Sequence, residues 1–133
     1  MDPALVERLN PLFDPGVEWD PAEGQTFLDN PDNAFFVAKY NGVIAGFLTA
    51  HRLQRFDKRR AEVLLYEIGV DERYRRLGLG TALVAAVKEW AAEVGADEVW
   101  VLTEQDNLPA LSLYRSAGPA DEMADVVMFT YEV

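Results

Sequence analysis

The spacing of apolar positions changes several times along the chain, and each change predicts a different element. Three apolar runs rich in β-branched and aromatic residues read as strands: 34–40 (AFFVAKY), 43–50 (VIAGFLTA) and 62–70 (EVLLYEIGV). Asn41-Gly42 between the first two runs is a typical two-residue hairpin turn. A charged loop at 55–60 precedes the third run.

Helical spacing appears before and after these strands. Asp2-Pro3 and Asp20-Pro21 each offer an N-cap followed by proline at the first helical position. Leu5, Val6 and Leu9 follow the first signal, and Phe27 and Leu28 are expected to form the buried side of the second helix. The strongest helix is predicted at about 79–94, ended by Gly95, with one apolar stripe formed by Leu83, Val84, Val87, Trp90 and Val94.

The remaining segments predict a strand at 98–103, a short helix at about 107–116 and a closing strand at 126–132. The resulting order is αα-βββ-α-β-α-β. A hairpin-built sheet followed by strand–helix–strand units is typical of an α+β fold with a mixed sheet flanked by helices. The chain has 133 residues and no internal repeat or linker, so we expect a single domain over 1–133.

Composition excludes several function classes. A net charge of −11 argues against non-specific nucleic-acid binding. No apolar run is long enough to span a membrane, and the N-terminus has no secretion signal, so we expect a cytoplasmic protein. The absence of cysteine excludes thiolate metal sites and a cysteine nucleophile. Eight of the 12 Lys and Arg residues nevertheless lie between Arg52 and Arg76, which indicates either a local anion site or a basic surface loop.

The segment that joins the third strand to the long helix carries the clearest chemistry. A buried strand ends at Val70, a basic loop follows, and Gly78 and Gly80 open the helix. Glycines permit close approach of the backbone to a ligand, and a helix start offers unpaired N–H groups, so the segment predicts a pyrophosphate site. It lacks the lysine of a P-loop, and Leu83 stands where a dinucleotide fingerprint has its third glycine.

This segment resembles motif A of the GNAT superfamily of N-acetyltransferases, Arg/Gln-x-x-Gly-x-Gly/Ala, through Arg75, Gly78 and Gly80. A second block of that superfamily, Asn-x-x-Ala-x-x-Leu-Tyr-x-x-x-Gly, is matched by Asn107, Ala110, Leu113, Tyr114 and Gly118. The resemblance is specific over residues 62–118 and extends from about 34 to the end. Within the superfamily, the chain looks most like the aminoglycoside 3-N-acetyltransferases, which confer antibiotic resistance.

The resemblance implies acetyl-CoA as the co-substrate. It implies that the backbone of Ile68 and Val70 pairs with the pantetheine arm, and that Arg75 adds positive charge. It places the pyrophosphate on the N–H groups of Arg76, Leu77, Gly78, Leu79, Gly80 and Thr81. Asn107 is then a coenzyme contact, an N-cap, or both.

Two residues are candidate catalytic groups. Glu67 lies in an otherwise apolar strand, on the face that strict alternation shares with Val63 and Leu65. An acid there can take the proton of the attacking amine, although it can also be a solvent-facing edge residue. The resemblance makes Tyr114 the proton donor to the departing coenzyme thiolate; the alternative is a core tyrosine.

The acceptor implied is a cationic small-molecule amine, with Glu104, Asp106 and Asp125 as candidate substrate contacts; the alternative for each of these acids is a solvated surface residue. Polyamines, other metabolite amines and protein N-termini are alternative acceptors, and a non-catalytic acyl-CoA-binding module is a further alternative. His51 has no companion at metal-ligand spacing, so we expect it to be structural and infer no metal. Many relatives are dimers, so a homodimer is a further expectation.

Two features depart from the family pattern. The sequence begins at the first predicted helix, so we expect either that the strand that usually precedes this helix is missing or that the start of the chain has been trimmed; in addition, Gly118 is followed by Pro119 where the family usually has phenylalanine. Loss of that aromatic ring is expected to loosen packing behind the coenzyme helix and to reduce activity.

Overall fold

The structure is a computed structural model that describes residues 20–57 and 59–133, together with Leu5, Leu9 and Gly16. Leu5 and Leu9 are helical, in agreement with the first predicted helix. The other residues predicted for this helix, including Val6 and the N-cap Asp2, lie outside the described residues. The chain divides into two compact units, one ending at Leu102 and one spanning Thr103–Val133. A single domain over the whole chain stays a prediction.

The first unit contains a four-stranded mixed sheet in the order β1-β2-β3-β4. Its strands are β1 (Asn33–Tyr40), β2 (Val43–Leu53), β3 (Ala61–Val70) and β4 (Ala96–Trp100). β1, β2 and β3 are antiparallel neighbours, whereas β3 and β4 run parallel. The mixed sheet predicted from the sequence is thus confirmed. Asn41 and Gly42 both have positive φ, of 48° and 79°, as the predicted hairpin turn requires.

Two helices of the first unit pack against this sheet. α1 (Pro21–Asp29) is capped by Asp20, whose carboxylate accepts a hydrogen bond from the Ala22 N–H at 2.9 Å. Phe27 of α1 is half-buried, but Leu28 is 39% exposed, so the expectation that both face the core is wrong for Leu28. A short helix on the surface of a sheet turns only one side toward the core, and Leu28 lies on the other side.

α2 (Leu79–Glu93) provides the helical side of the core. It packs against all four strands. Leu83, Val84 and Val87 of its predicted apolar stripe are buried, whereas Trp90 and Val94 are only half-buried and Ala91 is buried in the last turns instead. Close packing reaches the backbone of β2. A Cβ added to Gly46 would lie 3.0 Å from the Gly69 carbonyl oxygen and 3.4 Å from a methyl group of Leu83. Sheet and helix are therefore in close contact beside the start of α2.

The second unit has one helix, α3 (Leu108–Ser116), close to the predicted bounds. The strand predicted at 126–132 is wrong, because the structure gives these residues no regular secondary structure. A strand exists only where its backbone groups bond to a neighbouring strand, and an apolar pattern does not supply that neighbour. The segment leaves large apolar side chains exposed: Val126, Val127, Met128, Phe129, Tyr131 and Val133.

Candidate functional site

The β3–α2 loop (residues 71–78) sets the geometry of the candidate phosphate site. A 3-10 turn at Glu72–Tyr74 starts the loop, and Arg76 and Gly78 both adopt positive φ, of 64° and 81°. Gly78 is the N-cap of α2 and has no side chain with which to bond the first N–H groups of the helix. The helix therefore begins with its amide groups and the positive end of its dipole exposed.

The loop and the first turn of α2 together present six consecutive backbone N–H groups. Within the described part of the chain, no N–H from Arg76 to Thr81 has a hydrogen-bond partner; the first bond of α2 runs from the Ala82 N–H to the Gly78 carbonyl oxygen at 3.0 Å. Backbone N–H groups that lack a partner bind anions readily at a helix start. These are the same six residues that the sequence assigned to the pyrophosphate.

The three arginines of the loop differ in their partners. Arg73 is held by Asp71, with 2.9 Å between Nη2 and Oδ2, and this hydrogen bond lowers the pKa of the Asp71 carboxyl below its ordinary value. Arg75 is only weakly engaged, with its Nε 3.4 Å from the Val70 carbonyl oxygen. Arg76 is exposed and makes no ion pair or hydrogen bond with the residues that the structure describes. Arg75 and Arg76 are therefore the cations available to an anion.

The open edge of β3 adds a second feature. β4 pairs with β3 only as far as Leu64, which lies opposite Trp100, whereas β3 continues to Val70. Among the described residues of the first unit, residues 65–70 therefore have a strand neighbour only on the β2 side. Their other backbone edge, which includes Ile68 and Val70, can accept an extended amide-bearing ligand as an additional strand. The predicted pantetheine contacts fit this edge.

A β-bulge changes the position of Glu67. Thr49 of β2 lies opposite Glu67, but Ala50 lies opposite Leu65, so Tyr66 is an extra residue in β3. The expectation that Glu67 shares a face with Val63 and Leu65 is wrong, because an extra residue shifts the alternation of side chains to the other face.

The shift takes Glu67 away from the α2 side of the sheet. Val63 and Leu65 are buried there, whereas Glu67 is exposed. Glu67 Oε2 accepts a hydrogen bond from the hydroxyl group of Thr49 at 3.0 Å. Thr49 is a buried polar residue that the sequence pattern does not predict as part of the site; its hydroxyl group within the apolar run 43–50 is the signal that could have indicated it. The bulge thus gives the acid both solvent access and a fixed partner.

The second unit positions Asn107 and Tyr114. Asn107 caps α3, since its Oδ1 accepts a hydrogen bond from the Ala110 N–H at 3.2 Å, which confirms the N-cap interpretation. Tyr114 is half-buried, and burial raises the pKa of its phenol above the ordinary value near 10. The phenol is therefore protonated at neutral pH, as a proton donor must be.

The three candidate substrate acids of the second unit are all exposed: Glu104, Asp106 and Asp125. None of them forms an ion pair with a described residue. No group of three or more potential metal ligands occurs among the described residues. In the part of the chain that the structure describes, no helix is both long enough and apolar enough to cross a membrane.

Comparison with known proteins places this geometry in a family. The model of the acetyltransferase (GNAT) family matches residues 3–118, and the chain belongs to that family. A mycothiol acetyltransferase of Clavibacter sepedonicus is 42% identical over 97 residues, which are 73% of this chain and 30% of that protein. The N-alpha-acetyltransferase RimI of Mycobacterium tuberculosis is 33% identical over 100 residues, 75% of this chain and 60% of that protein. The chain thus spans only part of the length of these relatives.

Solved structures show the same fold. An aminoglycoside acetyltransferase, meta-AAC0020 from an uncultured soil metagenomic sample, was solved in complex with sisomicin; it has a TM-score of 0.86 and 27% identity, covering 97% of this chain and 86% of that one. The aminoglycoside N-acetyltransferase AAC(6′)-Iy in complex with CoA has a TM-score of 0.79 and 25% identity, covering 100% and 96%. The predicted family and fold class are confirmed.

Proposed function

We propose that this chain transfers the acetyl group of acetyl-CoA to a primary amine. The observation that carries the proposal is the run of N–H groups from Arg76 to Thr81 at the start of α2, which have no hydrogen-bond partner among the described residues. A pyrophosphate supplies acceptor oxygens for such a run, and the exposed guanidinium of Arg76 supplies a countercharge. Family membership and the CoA complex of a structural neighbour support the same donor.

The open edge of β3 supports the rest of the coenzyme assignment. The backbone of Ile68 and Val70 pairs with the amides of the pantetheine arm, which extends the sheet by one strand. Arg75 adds charge near the phosphates, because its guanidinium is only weakly held by the residues that the structure describes: 3.4 Å separate it from the Val70 carbonyl oxygen and 4.0 Å from the carboxylate of Glu72. Asn107, as the cap of α3, is also proposed to contact the coenzyme.

The reaction is a direct displacement at the thioester. The amine nitrogen attacks the carbonyl carbon, a C–N bond forms, and the C–S bond breaks. Glu67 takes the proton lost by the amine, directly or through water, and its exposure and its bond from Thr49 suit that role. Tyr114 gives a proton to the departing thiolate, and its raised pKa keeps the phenol protonated until that step.

The proposed acceptor is an aminoglycoside. Structural neighbours at 25% identity or more include aminoglycoside acetyltransferases, one of them solved with a bisubstrate analogue, CoA-S-monomethyl-acetylneamine. A net charge of −11 and exposed acids at positions 104, 106 and 125 suit a polycation. Acetylation at the 3-N position rests on the sequence resemblance alone. Cytoplasmic location, antibiotic resistance and a homodimer belong to the same proposal.

A second acceptor class is favoured by the curated relatives. These relatives include a mycothiol acetyltransferase and an N-alpha-acetyltransferase, whose names indicate two different acceptors. Over the matched residues, both are more similar in sequence to this chain than the aminoglycoside acetyltransferase meta-AAC0020 is. These names favour a small metabolite amine or a protein N-terminus. Acceptor choice changes readily on one fold, so the panel of amines below includes both.

The test is acetyl transfer measured by mass spectrometry with sisomicin, spermidine and a short peptide as acceptors. Acetylated sisomicin supports the narrower proposal, and acetylation of only another amine corrects the acceptor. Binding of CoA in calorimetry without transfer to any amine refutes the enzyme and supports a non-catalytic binding module.

Glu67→Gln tests the proposed base. We expect kcat/KM to fall by about 100-fold or more while CoA affinity is unchanged. Glu62→Gln is the matched control, because Glu62 lies on the same strand and is paired with Arg55 at 3.5 Å. Equal activity in the two variants would show that Glu67 is not the base.

A further inference from the structure

The bulge in β3 brings two consecutive side chains to one face of the sheet. Glu67 bonds to Thr49, while the ring of Tyr66 lies 5.5 Å from that of His51 in an edge contact. Thr49 and His51 are two residues apart on β2 and therefore share a face. Without the extra residue, Tyr66 and Glu67 would point to opposite faces. A carboxylate, a phenol ring and an imidazole ring consequently lie side by side.

The position of the proton on His51 follows from its neighbours. Asn33 donates a hydrogen bond from Nδ2 to the Phe27 carbonyl oxygen at 3.0 Å, which fixes the orientation of its amide. Its Oδ1 therefore faces His51 Nδ1 at 2.8 Å, and an oxygen can only accept there. Nδ1 must carry the hydrogen, so Nε2 of the neutral ring has a free lone pair. Among the described residues, Nε2 has no hydrogen-bond partner.

The His51 ring is also held in place by packing. Phe27 contacts it edge-on at 5.5 Å with an interplanar angle of 80°, and Tyr66 contacts it at 67°. His51 is half-buried, whereas Tyr66 is 62% exposed. The imidazole is thus fixed in tautomer and orientation, and the neighbouring phenol ring presents its surface to solvent.

We propose that Tyr66 and His51 form the acceptor subsite that holds a cationic amine beside Glu67. This inference rests on the proposed acetyl transfer. The ring of Tyr66 attracts an ammonium group through its π face. His51 Nε2 accepts a hydrogen bond from a second N–H or O–H donor of the same molecule. The ligand class is an amine that carries an adjacent ammonium or hydroxyl group, as amino sugars do.

Two histidine variants separate this role from a structural one. His51→Asn keeps a donor for Asn33 at the position of Nδ1 but removes Nε2. His51→Gln places a polar group near the position of Nε2 but loses the bond to Asn33. We expect His51→Asn to raise the KM of the acceptor by about threefold to tenfold. His51→Gln should stay closer to the wild-type KM, although it unfolds at a lower temperature.

Tyr66 has a matched pair as well. Tyr66→Phe keeps the aromatic ring, whereas Tyr66→Leu removes it, and the exposure of this side chain makes both variants compatible with folding. We expect Tyr66→Leu to raise the KM of the acceptor by about twofold to fivefold and Tyr66→Phe to leave it unchanged. The KM of acetyl-CoA is the internal control and should not change in any of the four variants.

Steady-state kinetics with sisomicin, spermidine and a short peptide as acceptors test the proposed acceptor subsite. If His51→Asn and Tyr66→Leu both keep the wild-type acceptor KM, the subsite is refuted while acetyl transfer stands. If the KM of acetyl-CoA rises together with that of the amine, the residues belong to the donor side and the inference is equally overturned. If the wild-type protein acetylates no amine, the proposed function fails, and the subsite fails with it.

Discussion

Substitution of Gly78 by alanine tests the phosphate site against a control in the same helix. Gly78 precedes α2 with φ of 81°, and Gly95 follows it with φ of 78°. A Cβ at either position would meet no protein atom within 4 Å, so the cost of alanine is conformational in both cases. Left-handed backbone costs an L-residue roughly 1–2 kcal/mol. We therefore expect both variants to lose about 1 kcal/mol of unfolding free energy.

The two variants should differ in coenzyme affinity. Alanine at position 78 favours negative φ, which rotates the adjoining peptide planes within the run of N–H groups from Arg76 to Thr81. Losing one hydrogen bond to a charged phosphate costs about 1.5–3 kcal/mol. CoA should consequently bind Gly78→Ala about 10-fold to 150-fold more weakly than wild type. Gly95→Ala leaves those amides in place and should bind CoA normally.

The measurements are calorimetric titration with CoA and denaturant unfolding of each variant. Gly78→Asn is an added check, because asparagine tolerates left-handed backbone and should retain most of the affinity. Two results would refute the reasoning: normal CoA binding by Gly78→Ala, or an equal loss of affinity in Gly95→Ala. The second result would show that affinity merely follows stability.

Three further predictions concern the sheet and the loop. Gly46→Ala should lower the unfolding free energy by about 1–3 kcal/mol in a denaturant titration, because its Cβ would lie 3.0 Å from a backbone carbonyl oxygen of β3; wild-type stability would contradict the close approach. Thr49→Val should lower kcat/KM by about threefold to tenfold, because Glu67 loses its hydrogen bond; unchanged kinetics would remove Thr49 from the site. Arg73→Gln should raise the pKa of Asp71, measured by NMR titration. Because folding lowers the pKa of Asp71, its ionised carboxylate stabilises the folded state above the ordinary pKa near 3.9, and this stabilisation is lost as pH falls through the lowered pKa of the folded state. If Arg73→Gln and the wild type show the same dependence of unfolding free energy on pH, the prediction is contradicted.

Much of the first unit follows from local rules that the sequence displays. The hairpin at Asn41-Gly42, the cap at Asp20 and the start of α2 at Leu79 each depend on a few neighbouring residues. The β3–α2 loop, the candidate phosphate site, belongs to the same class, because glycine spacing and the following helix are local features. Such signals are strong when backbone conformation alone decides the outcome.

Other features depend on contacts between distant segments, and there the sequence misleads. The run at 126–132 has the composition of a strand, but the structure gives it no regular secondary structure within the second unit. Leu28 is apolar but lies on the exposed side of a short helix. In both cases the apolar character of the residues predicts burial, whereas the structure depends on which other segments of the chain are close enough to cover them.

The register of β3 shows how much chemistry one long-range irregularity controls. Strict alternation would group Glu67 with Val63 and Leu65 on the α2 side, where a carboxylate has neither water nor a partner. The extra residue at Tyr66 moves the acid to the face that carries Thr49 and leaves it exposed. Nothing in the run EVLLYEIGV marks the bulge, because it is defined by pairing with β2 and not by composition. The candidate base was therefore identifiable from the sequence as a residue, but its surroundings became apparent only from the pairing of two strands.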